Sequence, residues 1–83
     1  MAFNLDSYAY KGILNNPNIT KDVIDELLRR KKDLIFEAVA QSQMATSAQL
    51  QLVYKRNKSF ESLYGLINNP NTPTSILEEM FDL

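Results

Sequence analysis

The pentapeptide LNNPN, residues 14–18, returns 53 residues later as INNPN, residues 67–71. Each copy precedes an amphipathic run, at 23–28 in the first case and at 76–81 in the second. A degenerate third copy lies between them, at offsets of 26 and 27 residues. A repeat of this length indicates stacked supersecondary units, because a single unit cannot bury its own apolar face.

Apolar residues fall into columns when residue 10 is aligned with 36 and 63 and this register is carried forward. Successive columns lie three or four residues apart, which is the spacing of one helix face, whereas a strand alternates every second residue. The columns are Tyr10/Phe36/Leu63, Ile13/Val39/Leu66, Leu14/Ala40/Ile67, Ile24/Leu50/Leu77, Leu27/Val53/Met80 and Leu28/Tyr54/Phe81. The pattern predicts six helices, near 6–14, 21–31, 33–41, 47–56, 60–67 and 74–82.

The predicted fold is therefore all-α, with three two-helix units in one domain of 83 residues. We expect Phe3 and Leu5 to cover one open end, whereas Phe81 and Leu83 at the other end can drive self-association. The units span approximately 8–32, 33–58 and 59–83, after an N-terminal cap over 1–7.

Small residues occupy one further column, which contains Gly12, Ala38 and Gly65. Glycine inside a helix costs about 1 kcal/mol relative to alanine, so its presence needs a reason. One explanation is close backbone contact between neighbouring units, and the other is a 3₁₀ segment in the first helix of each unit.

The asparagine-rich segments are predicted to end the first helix of a unit. Pro17 and Pro70 push the preceding residue out of the helical region, and Asn15 and Asn68 tolerate the left-handed conformation that ends many helices. This turn chemistry explains the asparagines structurally, and an exposed binding loop is the alternative.

Threonines are predicted to mark where the second helix of each unit begins. Thr20 and Thr46 can cap their helices with a side-chain oxygen. In the third unit Thr72 precedes Pro73, which suits the first helical position because its missing N–H would be unpaired there.

The third unit resembles the variant leucine-rich repeat, in which Asn-Pro-x-Thr-Pro is followed by apolar residues at helical spacing, here Ile76, Leu77 and Met80. The resemblance covers roughly residues 8–82 but is weaker in the first unit, and the middle unit has Gln41–Met44 in place of Asn-Asn-Pro-Asn. It implies a right-handed solenoid of alternating α- and 3₁₀-helices that serves as a binding scaffold. A plain array of helical hairpins is the alternative.

Charge is unevenly distributed along the chain. Residues 29–58 hold seven basic and two acidic side chains, net +5, whereas the remainder holds two basic and eight acidic, net −6. In a stacked array these cations line one edge. We call them the basic ridge: Arg29, Arg30, Lys31, Lys32, Lys55, Arg56 and Lys58.

Three interpretations of the basic ridge remain open. Cations near helix C-termini offset the macrodipole by about 0.3–1 kcal/mol each, which explains one or two residues per helix. The ridge also suits a protein partner with an acidic or mixed surface, or else nucleic acid or anionic lipid. Tyr8 and Tyr64 lie off the main columns and are predicted partner contacts, whereas Tyr54 is either core or contact.

Composition argues against catalysis. The chain has no cysteine, no histidine and two glycines, so thiolate or histidine metal sites, the commonest general base and Gly-rich phosphate loops are all lacking. We predict no catalytic residue, no metal and no cofactor. The N-terminus lacks signal-peptide features and no apolar run is long enough for a membrane span, so we expect a cytoplasmic location.

These observations favour a non-enzymatic protein–protein interaction module, a small adaptor or inhibitor that binds a larger partner through a repeat face and the basic ridge. RNA or DNA binding by the ridge is the alternative function. In size and in lacking a signal peptide the chain is also similar to phage accessory proteins such as the cytoplasmic antiholins that regulate lysis.

Overall fold

The computed structural model describes residues 7–82. This part of the chain contains no strand, so the predicted all-α class is confirmed. All six elements are α-helices, which excludes the 3₁₀ alternative for the first helix of each predicted unit. The helices are α1 (Ser7–Leu14), α2 (Lys21–Leu28), α3 (Asp33–Ala40), α4 (Ser47–Arg56), α5 (Phe60–Asn68) and α6 (Thr74–Phe81). The predicted contributions of Phe3, Leu5 and Leu83 fall outside the described residues.

The end of α2 is the boundary that differs most from the sequence-based expectation. The helix ends at Leu28 rather than near residue 31. The N–H groups of Arg30 and Lys31 bond to carbonyls three residues earlier, at 3.1 and 3.2 Å, which tightens the last turn. Lys31 then adopts a left-handed conformation with φ 54°, and the chain turns directly into α3.

Helix α3 lies at the centre of the fold and packs against α1, α2, α4 and α5. Its Ile35, Ala38, Val39 and Ala40 are completely buried. The molecule is elongated, with principal extents of 47 × 23 × 19 Å. The hydrophobic core consists of Tyr10, Leu14, Ile24, Leu28, Ile35, Phe36, Ala38, Val39, Ala40, Ala45, Leu50, Val53 and Leu66.

Most of the predicted apolar columns are buried, but three of their terminal members are not. Ile13 of α1, Ile67 of α5 and Phe81 of α6 are exposed. Each belongs to a helix that packs on the rest of the structure from one side only. A residue in such a helix is buried only if it faces inward, whatever its column predicts.

The two glycines of the small-residue column lie in different surroundings. A Cβ added to Gly65 would lie 2.8 Å from Gln41 Cγ and 3.0 Å from Ala40 Cβ, so close packing of α5 on α3 requires glycine there. A Cβ added to Gly12 would meet nothing within 4 Å. The predicted close contact is confirmed at Gly65 and wrong at Gly12, because α1 turns its Gly12 side outward.

The asparagine turns work differently from the prediction. Among the described non-glycine residues only Lys31 and Asp82 have positive φ, so Asn15 and Asn68 are not left-handed. Instead, each donates a hydrogen bond of 2.9 Å from its side-chain Nδ2 to the carbonyl oxygen four residues earlier. Asn69, which precedes Pro70, is extended as predicted, with φ −88° and ψ 123°.

Side-chain hydrogen bonds join the second and third turns. Asn69 Nδ2 donates to the carbonyl oxygens of Ala40 and Ser42 at 2.9 and 2.8 Å. Asn71 Nδ2 likewise donates to the carbonyls of Gln43 and Ala45, at 2.9 and 3.0 Å. These asparagines therefore satisfy carbonyl groups that the helix end leaves open, and this favours the structural explanation of the repeat.

The helix caps are confirmed in two of the three cases. Thr20 accepts a hydrogen bond from the Val23 N–H, and Thr46 forms a reciprocal capping box with Gln49. The prediction for the third cap is wrong, because Pro73 occupies the N-cap position and α6 begins at Thr74. The Thr72 hydroxyl donates instead to the carbonyl oxygen of Leu66, at 2.7 Å.

Candidate functional site

Two surface grooves gather most of the residues that the sequence singles out. The first, which we call the basic groove, lies between α2, α3 and α4 and has a volume of about 290 Å³. Its apolar surface comes from Leu28, Phe36 and Leu52. The full lining is Asp25, Leu28, Arg29, Lys31, Phe36, Leu52 and Arg56.

Three cations of the basic ridge reach the basic groove from three local structures. Arg29 directly follows the last residue of α2, and Arg56 is the last residue of α4. Lys31 reaches the groove from the turn between α2 and α3, where its left-handed backbone reverses the chain. Helix packing thus brings together side chains that lie up to 27 residues apart in sequence.

Two carboxylates beside the basic groove already have partners. Arg29 forms a 2.8 Å salt bridge with Glu26, but both side chains are mostly exposed, and such pairs contribute little to stability. Asp25 accepts a 2.8 Å hydrogen bond from Gln49 Nε2 on α4. The exposed Arg29 guanidinium keeps donors for a further acceptor, because one guanidinium carries five N–H groups.

The rest of the basic ridge is not gathered at this groove. Arg30, Lys32 and Lys55 are exposed and line neither of the two grooves described here. Lys58 places its Nζ 3.2 Å from the centroid of the Tyr54 ring, in a cation–π contact at the second groove. Tyr8 is exposed, away from both grooves, with Lys11 Nζ 5.8 Å from its ring centroid.

The second groove, which we call the aromatic groove, has a volume of about 430 Å³. Phe60 and Tyr64 stack along α5 with ring centroids 6.0 Å apart and an interplanar angle of 20°. They are 77% and 60% exposed, which is unusual for two adjacent aromatic rings. The full lining is Tyr54, Lys58, Phe60, Leu63, Tyr64, Ile67, Glu79, Met80 and Phe81.

Sequence reasoning identified Tyr64 and Lys58 but missed Phe60. Phe60 lies outside the aligned apolar columns and coincides with the start of a predicted helix. The available signal was its spacing of four residues from Tyr64, which places both rings on one helix face. Tyr54, for which core and contact roles were both open, is half-buried and lines the aromatic groove.

Residues 7–82 contain no group of three or more His, Cys, Asp or Glu side chains that could hold a metal ion. No helix in this part of the chain is both long and apolar enough to cross a membrane. One buried side-chain oxygen, Ser62 Oγ, has no hydrogen-bond partner in the described structure.

No known protein family, curated protein or solved structure shows significant similarity to this chain. Functional inference therefore depends on the geometry and charge of the two grooves.

Proposed function

We propose that this chain is a non-enzymatic protein-binding module that holds an acidic segment of a larger partner protein in the basic groove. The observation that carries the proposal is the placement of Arg29, Lys31 and Arg56 around one apolar surface. Such a groove suits a segment that offers carboxylates to the cationic rim and an apolar side chain to Leu52, which is the exposed apolar residue of the lining.

Lys31 distinguishes this proposal from simple helix-end electrostatics. Arg29 and Arg56 both lie at helix C-termini, where a cation stabilises the macrodipole without any partner. Lys31 instead has a φ of 54°, a conformation that costs an L-residue other than glycine roughly 1–2 kcal/mol. Stability alone favours glycine or asparagine at this position, so a lysine there supports a binding role.

The architecture that we propose for the module is a short solenoid of three two-helix units. Helix α3 packs against both α1 and α5, as the central member of such a stack would. Polar side chains also bond across sequence separations of 22 to 29 residues, close to the repeat length of 26 or 27. The right-handed sense implied by the variant leucine-rich repeat stays a prediction.

In this proposal, the module acts on its partner simply by binding to it. The proposal assigns no side chain a role in catalysis, so the effect of the module on its partner is to cover a surface or to connect the partner to another protein. This is the mode of action of a small inhibitor or adaptor.

Nucleic acid is the alternative ligand for the same cations, and the groove favours it less. Proteins that bind single strands combine cations with aromatic platforms on which bases stack. The only aromatic side chain in the basic groove is the buried Phe36, and Tyr54 is covered by Lys58 on another surface.

The test compares two double variants with the same change in net charge. Arg29→Glu with Arg56→Glu reverses the groove, whereas Arg30→Glu with Lys55→Glu reverses two exposed ridge positions outside it. Tagged wild-type protein and both variants are used to capture partners from the lysate of the cells that make the protein, with and without nuclease. The captured proteins are identified by mass spectrometry.

We expect one protein to be retained by the wild type and by the outer variant but lost by the groove variant, in both nuclease conditions. Loss that is equal in the two variants would show that total charge, rather than the groove, governs binding. Capture that disappears with nuclease would replace the proposal with nucleic-acid binding.

A further inference from the structure

The aromatic groove occupies the place that a following helix would cover. In the middle of the chain α5 packs against α3 and α4, and Ala40 and Val53 are completely buried there. The residues 27 positions later are Ile67, which is 42% exposed, and Met80, which is half-buried. The same surface therefore occurs twice, once covered by α5 and once open as the aromatic groove.

The side of α5 that covers α3 has a recognisable pattern. Gly65 allows the helix backbones to approach, because an added Cβ would lie 3.1 Å from the backbone carbonyl carbon of Ala40. Leu66 beside it is completely buried. Asn69 in the following turn is also buried, and its Nδ2 donates to carbonyl oxygens at the end of α3.

The same pattern occurs 53 residues earlier, on the outward side of α1. Gly12, Ile13 and Asn16 correspond in sequence to Gly65, Leu66 and Asn69. Space around Gly12 is open to at least 4 Å, and Ile13 is 39% exposed. The α1 surface thus carries the docking residues of α5 but has nothing in residues 7–82 to dock against.

The two turns also share their local geometry. Asn16 Oδ1 accepts a 2.9 Å hydrogen bond from the Asn18 N–H, and Asn69 Oδ1 accepts one of 2.9 Å from the Asn71 N–H. In the third turn this arrangement leaves the two Nδ2 groups directed at carbonyls of the preceding turn. In the first turn the Nδ2 groups of Asn16 and Asn18 have no acceptor among residues 7–82.

We propose that the aromatic groove of one molecule receives α1 of a second copy, head to tail, in the way that α5 sits on α3 and α4 within one molecule. Asn16 and Asn18 of the incoming copy would then donate to carbonyls around Ile67–Thr72, as Asn69 and Asn71 do to Ala40–Ala45. Ile67 is larger than Ala40, so the incoming α1 would lie farther from the groove than α5 lies from α3.

The interface is heterologous, because the groove and α1 are different surfaces of the chain. A head-to-tail dimer leaves one aromatic groove and one α1 surface around Gly12 and Ile13 unoccupied, so association continues beyond the dimer. This proposal uses neither the basic groove nor its cations and stands independently of the partner-binding function.

Two variants that each block one surface provide the test. Gly12→Gln adds a side chain to an exposed α1 position at which the monomer has open space, so the monomer should still fold. Ile67→Lys introduces a charge into the aromatic groove at an exposed position. Leu34→Lys is the control, since Leu34 is a similarly exposed apolar residue of α3 that lines neither groove.

Sedimentation velocity is measured over a wide range of concentrations for each protein and for an equimolar mixture of the two blocked variants. We expect the average mass of the wild type and of Leu34→Lys to rise with concentration without a limit. Each blocked variant alone should associate on the order of tenfold more weakly or worse. The mixture should form a dimer and stop there, because only one complementary pair of surfaces remains intact.

Self-association of Gly12→Gln equal to that of the wild type would overturn the proposal, because the groove would then pair with itself. A wild type that stays monomeric at millimolar concentration would also overturn it. Circular dichroism of each variant confirms that the helices are intact before the masses are compared.

Discussion

Gly65 of α5 lies against Ala40 of α3 so closely that a Cβ on the glycine would be 3.0 Å from the alanine Cβ. This contact fixes the distance between the two helices. It also gives the repeat a physical requirement that is absent at Gly12, the corresponding residue in α1, where the surroundings are open.

We therefore expect Gly65→Ala and Gly12→Ala to change stability in opposite directions. At Gly65 the overpacking cost of about 1–3 kcal/mol exceeds the gain of roughly 1 kcal/mol in helix propensity, so the free energy of unfolding should fall. At Gly12 the propensity gain of about 0.5–1 kcal/mol acts alone and the free energy should rise. Urea unfolding of dilute protein measures both, and a rise in the free energy of unfolding of Gly65→Ala would contradict the close contact.

Two buried serines give a second matched pair. Ser62 Oγ has no partner in the described structure, whereas Ser42 Oγ donates a hydrogen bond to the carbonyl oxygen of Leu14. Ser62→Ala should raise the free energy of unfolding by about 1 kcal/mol, because it removes a hydroxyl that is desolvated without compensation. Ser42→Ala should lower it by about 1–3 kcal/mol, because the buried Leu14 carbonyl loses its partner. Urea unfolding of both variants tests this, and a loss of stability in Ser62→Ala would show that its hydroxyl is bonded.

The packing of α4 against both α3 and α5 leads to a third prediction. Leu50 is completely buried, whereas Leu77, its counterpart in α6, is only half-buried. Leu50→Ala should lower the free energy of unfolding by about 2–5 kcal/mol, and Leu77→Ala should lower it by less. Thermal and urea unfolding provide the comparison, and equal losses would argue against a linear stack with an open end.

Lys31 should show a conflict between stability and binding. Lys31→Gly should raise the free energy of unfolding by about 0.5–1 kcal/mol, because relief of a left-handed penalty of roughly 1–2 kcal/mol exceeds the added entropy of the unfolded chain. Lys31→Ala removes the same charge but keeps the Cβ, so it should bring no such gain. Urea unfolding separates the two variants.

Binding to the partner, in contrast, should not distinguish these two Lys31 variants. Both Lys31 variants should lose affinity for the captured partner to a similar extent, since both lack the ammonium group at the basic groove. A variant that gains stability and keeps full affinity would remove Lys31 from the proposed site.

The local sequence was sufficient to predict the helices, because the caps and the apolar spacing that define a helix involve residues close together in the chain. Thr20 and Thr46 are followed by amphipathic spacing, and each begins a helix at the predicted residue. The cap predicted at Thr72 is wrong because Pro73 is still extended and occupies the N-cap position, so α6 begins at Thr74. The early end of α2 was missed because a lysine is a poor predictor of left-handed backbone.

The candidate site likewise has features that the sequence predicts and features that only the structure shows. The run Arg29 to Lys32 and the group Lys55 to Lys58 can be read directly from the chain, and so can their excess charge. Which cations share a groove depends on where α2 and α4 end relative to α3, so the structure gathers Arg29, Lys31 and Arg56 and leaves Arg30, Lys32 and Lys55 elsewhere. Phe60 was not predicted because it lies outside the aligned apolar columns, and only its spacing of four residues from Tyr64 indicates that it shares a helix face with another aromatic ring.

The sequence by itself determined the all-α class, the six helices, the repeat and the uneven charge, because helix periodicity and turn chemistry act over a few neighbouring residues. Only the tertiary structure decided which members of each column are buried, why glycine is needed at Gly65 but not at Gly12, and which side chains line the two grooves. These properties depend on what packs against each helix face, and the local sequence does not determine which faces have a neighbour.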